Sequence, residues 1–91
     1  MTSVTINTIK LKSQLERGLT YVKAPTPALQ DELFNVCHLS LAEVQSDPKA
    51  SEEIRAGIAA VVHVLRNGSE LNAEDLAEMA GHIEKGIEAC R

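Results

Sequence analysis

The residues best equipped for chemistry in this chain are Cys37 and Cys90, with His38, His63 and His82. A thiolate paired with an imidazole is a nucleophile, provided the two lie within hydrogen-bond reach and a third group orients the base. Cys37 and His38 are adjacent in sequence, and adjacent helical residues point about 100° apart, so they do not face each other. Cys37 could meet His63 or His82 only through tertiary packing. Ser40 and Ser69 have no neighbours that suggest an activated hydroxyl.

Metal chemistry is no better served. A di-iron bundle needs Glu-x-x-His pairs with further inward carboxylates. Here Glu78 and His82 are four residues apart, and Glu74 and Glu84 share their polar flank. There is no glycine-rich phosphate loop, no cysteine pair at zinc spacing and no His-Glu-x-x-His motif. The sequence therefore offers no catalytic residue, no metal ligand and no cofactor-binding residue, and predicts a protein that is not an enzyme.

The 91 residues suit one domain, 1–91, and a chain this short has a small stability margin. With one Phe, one Tyr and no Trp, the core must come from Leu, Ile, Val, Ala and Met. Self-association could supply missing burial and makes a homodimer the expected form. Charge is uneven. Residues 1–26 carry four basic groups against one acidic, net +3, and residues 27–91 carry five against twelve, net -7. The acidic body argues against nucleic acid as a partner, since that requires cations to neutralise phosphates. No stretch approaches membrane-spanning length and no secretory signal is visible, so the expected setting is cytoplasmic with reduced thiols.

Periodicity supplies the elements that must position these residues. Val4 and Ile6 alternate with polar residues, which predicts a flexible or strand-like arm over 1–8. Leu11, Leu15, Leu19 and Val22 then suit a helix over 9–22, which Gly18 weakens by about 1 kcal/mol relative to Ala. Pro25 and Pro27 break the chain, with Thr26 placed as a cap and Pro27 as a first helical residue. A second helix over 28–45 carries Leu29, Leu33, Val36, Cys37, Ser40, Leu41 and Val44 on one face. Phe34 and Leu39 lie beside or away from that face.

Asp47 and Pro48 are placed to cap and open a third helix over 48–67, with Ile54, Ile58, Val61, Val62 and Leu65 as its apolar face. Asn67 and Gly68 tolerate a left-handed end to it. The last helix, over 73–90, has the clearest start. Asn72 is its cap, Asp75 sits three residues on, and Leu71 and Leu76 form a hydrophobic staple. Leu76, Met79, Ala80, Ile83, Ile87 and Cys90 form its apolar face. Ala73, Ala77 and Gly81, with Ala56 and Ala60 on the preceding helix, are small ridges that would permit a tight antiparallel pair. The fold class is all-α, a small bundle of three to four helices.

Leu71 to Ile87 also resembles the first half of a helix-turn-helix, with Leu76-Ala77, Ala80-Gly81 and Ile87 at hydrophobic, small and turn positions. The recognition helix would then begin near Ile83 and offer Glu84, Lys85, Glu88 and Arg91, two of which repel phosphate. DNA binding is thus an alternative to the leading expectation, which is a small non-enzymatic protein-interaction or regulatory module. Another alternative is a structural homo-oligomer whose only partner is itself. The candidate partner-binding residues are the basic Lys10, Lys12, Arg17 and Lys23, with Tyr21, Phe34 and Leu39 as apolar anchors.

Overall fold

The computed structural model describes residues 8–48 and 50–90. Over these residues the chain is all-α: α1 (Thr8–Lys23), α2 (Pro27–Ser46), α3 (Glu52–Asn67) and α4 (Ala73–Ala89). The arm expected over 1–8 lies outside the described residues except at Thr8, which opens α1.

α2, α3 and α4 each start where the local chemistry supplies a cap. Thr26 is extended and its Oγ1 accepts a hydrogen bond from the Leu29 amide at 3.2 Å, with Pro27 following at a position where no amide is needed. Asn72 Oδ1 accepts from the Asp75 amide at 2.8 Å, as the sequence predicts. The third start differs from expectation. Ser51, not Asp47, caps α3, through its Oγ and the Ile54 amide at 3.2 Å. The Asp47 carbonyl accepts instead from the Ala50 amide, in a turn that contains Pro48. The end of α3 differs as well. Gly68 keeps right-handed helical angles and opens a 3-10 turn over Gly68–Glu70, which closes with the Leu71 amide donating to the Gly68 carbonyl. No described residue has a positive φ, so the left-handed end expected there is absent.

α1 and α3 each contact the other three helices, and α3 is the more extensively packed of the two. Its predicted apolar face is buried in full, and Gly57, Ala60 and Val64 widen it. α3 and α4 form the most extensive pairing and run antiparallel, as expected. Of the small ridges expected, Ala60 on α3 is buried, but Ala56 is exposed and the ridge on α4 is not the expected one. Ala73 and Ala77 are exposed, and a methyl built on Gly81 would touch nothing within 4 Å. The close approach is made by Gly57 and Gly86, with Leu15 of α1 wedged against both. Ile58, Leu15, Leu33 and Ile83 are the largest fully buried side chains, one from each helix.

α2 packs with one face only: Leu33, Cys37, Ser40 and Val44 are buried there, while Leu29 and Leu41 lie at its margin. Side-chain ties to α3 fix it at both ends. Gln30 Nε2 donates to the Leu65 carbonyl at 3.1 Å. Arg55 donates from Nε to the Val44 carbonyl at 3.1 Å and from Nη2 to the Asp47 carbonyl. These carbonyls end a helix whose last turns have few intrahelical donors, so a cation suits the position.

Candidate functional site

Apart from Ile9 in the first turn of α1, which is 83% exposed, the large apolar residues left without cover among the described residues lie on the outer surface of α2. Phe34 is 39% exposed, Val36 38% and Leu39 69%. These residues make two patches rather than one, because Phe34 and Leu39 are five positions apart, or about 140° around the helix. Phe34 lies on the flank toward the end of α3. Leu39 and Val36 lie on the flank that also carries Glu32, whose carboxylate pairs with Arg17 of α1 at half-exposed positions.

The Phe34 flank is the more elaborated. His38, one turn on, stacks against Phe34 with ring centroids 6.1 Å apart and planes 24° apart. Arg66, in the last turn of α3, places its guanidinium 5.9 Å from the Phe34 ring centroid. Its Nη2 lies 3.1 Å from His38 Nδ1. Arginine can only donate, so in this contact His38 Nδ1 is placed as the acceptor. Beside the three side chains is an open depression walled by Gln30, Asp31, Asn35 and Leu65. The arrangement is a rigid ring, an imidazole and a guanidinium held together on the surface, which is the side-chain chemistry that dominates protein interfaces.

The other predicted partner residues are scattered. Tyr21 is 8% exposed and belongs to the core, so it is not a surface anchor. Lys10 and Arg17 share one flank of α1, seven residues apart, and Lys12 and Lys23 share the other. Lys12 is half-buried, and its charge acts on the thiol of Cys90. Lys23 is exposed in the last turn of α1, where a cation complements the helix dipole. Among the described residues these cations do not form a single stripe. Arg66 and His38 were not expected at a site. The four-residue spacing of Phe34 and His38 could have revealed their stacking, but the approach of Arg66 depends on tertiary packing alone.

The groups with chemical potential are kept apart or silenced. Cys37 and Cys90 are free thiols, both buried. Burial pushes the Cys37 thiol up to about 11 against the opposing charge of Arg17, and burial raises Cys90 against Lys12. A raised thiol is the inert form, not the nucleophile. His63 is exposed and lies 3.4 Å from Asn67 Nδ2, and with His82 it borders a shallow groove between α3 and α4. No group of three or more His, Cys, Asp or Glu among the described residues could hold a metal ion. No described helix is long and apolar enough to cross a membrane. What the fold and surface define is a small all-helical bundle without a catalytic cluster among its described residues. Compared with protein-family models, curated proteins and solved structures, the chain matches none.

Proposed function

We propose that the chain is a small non-catalytic protein-interaction module that docks a protein, foremost a second copy of itself, on the outer surface of α2. The observation that carries this reading is the exposed Phe34, held in place by His38 and Arg66 on a helix with only one buried face. A ring that is already immobilised loses little entropy on binding, and aromatic and arginine side chains supply most interface energy. Two free, buried cysteines fit a reducing, cytoplasmic setting. The DNA-binding alternative lacks comparable support: α4 is unbroken at Gly81, where that motif needs a turn, and Glu84 and Glu88 stand exposed on it.

The test combines sedimentation equilibrium of the purified chain with mass measurement of species that co-purify from the native cell. Phe34→Ala is expected to weaken association by about fivefold or more while helicity is retained. Leu39→Ala reads the opposite flank separately. Unchanged association in both variants would remove α2 as the docking surface. A monomer at all concentrations with no co-purifying protein would remove the reading altogether.

A further inference from the structure

A cavity of about 260 Å³ lies at the end of the bundle where α1 and α3 finish and α4 begins. Its walls include Val22, Pro25, Val64 and Leu76, with Tyr21 and Ser69 as the hydroxyl-bearing members. No charged side chain among the described residues lines it. Tyr21 is 8% exposed, yet no described residue exchanges a hydrogen bond with its hydroxyl. The residue is largely buried, but its hydroxyl oxygen is not itself occluded and is free to meet solvent or a bound molecule. The one fully occluded side-chain atom left without a partner among the described residues is Gln14 Oε1, so the Tyr21 hydroxyl is still reachable.

We infer that this cavity is a binding site for a small neutral, mainly apolar molecule bearing one hydrogen-bonding group, which pairs with the Tyr21 hydroxyl. The apolar walls and the absence of charge select against ions, since an ion placed there would lose its hydration without a counter-charge. The size fits a one- or two-ring compound: apolar cavities of about 150 Å³ admit benzene. Ser69 stands exposed where the cavity opens, and provides a second hydroxyl at its edge. The site is separate from the outer surface of α2 and shares no residue with it.

The probe is 2-naphthol, with naphthalene as its counterpart lacking the hydroxyl, titrated against the full chain and followed by amide chemical shifts. The expected result is saturable binding of both, with shifts centred on Val22, Val64 and Leu76. Tyr21→Phe, which keeps the ring, is expected to weaken 2-naphthol severalfold and leave naphthalene unchanged. Ser69→Trp, a change at an exposed position, is expected to block both. The inference is overturned by the absence of saturable shifts, by shifts centred elsewhere, or by undiminished binding in Ser69→Trp. Equal 2-naphthol affinity in Tyr21→Phe overturns the role of the hydroxyl.

Discussion

Gly57 and Gly86 meet across the α3–α4 crossing so closely that a methyl built on either would lie 3.3 Å from the Cα of the other. The added methyl at Gly86 would also sit 3.0 Å from the Glu53 carbonyl and 3.2 Å from a Leu15 methyl. Two of these three neighbours are backbone, which cannot rotate away. The contact therefore sets the distance between the two helices and the depth at which Leu15 of α1 is seated.

From this follows a contrast between glycines of one helix. Gly86→Ala is expected to destabilise the fold by about 1–3 kcal/mol through overpacking. Gly81→Ala has open space around it and should stabilise α4 by up to about 1 kcal/mol through helix propensity. Urea denaturation of the two variants checks both signs.

Gly18 makes the corresponding contact between α1 and α3. A methyl there would lie 2.5 and 2.9 Å from the two Val61 methyls. Valine has one strongly preferred rotamer in a helix, so it cannot easily turn aside. Gly18→Ala is expected to cost about 1–3 kcal/mol despite its better helix propensity. Combining it with Val61→Ala should cost less than the sum of the single changes, because the two sites share one volume. Additive losses in denaturation would contradict the contact.

Much of this architecture is written in local sequence, and the exceptions share a cause. Thr26-Pro27 and Asn72 are caps whose partners lie three residues away, so the sequence alone reveals them. The faces of α3 and α4 follow from their periodicity. Gly18, by contrast, reads as a flaw in α1 until Val61 is brought against it by the fold. Ser51 replaces Asp47 as a cap because α3 begins at Glu52, directly after Ser51, while the Asp47 carbonyl closes a turn with the Ala50 amide and accepts from Arg55. Phe34 is readable as an anchor, but Arg66, thirty-two residues further along, joins it only by tertiary contact. Tyr21 is a candidate anchor only because it is one of two aromatic residues, and composition does not say which way a ring points: Tyr21 is in the core and Phe34 is exposed.

Arg55 is expected to be the most valuable charged residue for stability. It satisfies the Val44 and Asp47 carbonyls at the end of α2 from the second turn of α3. Arg55→Met keeps much of the aliphatic stem and removes both donors. A loss of about 1–3 kcal/mol is expected in denaturation, since bonds from charged donors contribute more than neutral ones. Glu32→Gln, which weakens a half-exposed surface pair with Arg17, should change stability by less than about 1 kcal/mol and less still at high salt. Equal losses in the two variants would deny Arg55 its role.

The buried thiol of Cys37 predicts a loss of stability at alkaline pH. Burial raises it from an ordinary value of 9.0 to about 11. Between those values the unfolded chain has released the proton while the folded chain holds it, so folding becomes less favourable as pH rises. The stability associated with the neutral thiol is whole below pH 9 and is lost as pH climbs toward 11. The slope for one retained proton is at most about 1.4 kcal/mol per pH unit. Cys90 is raised in the same direction by its own burial and adds to the effect. Denaturation midpoints from pH 8 to 11 for the native chain and for a Cys37→Ala, Cys90→Ala double variant separate this from every other alkaline effect, which both proteins share. The expected outcome is a shallower decline in the double variant. Parallel declines would show that the thiols ionise alike in the folded and unfolded chain.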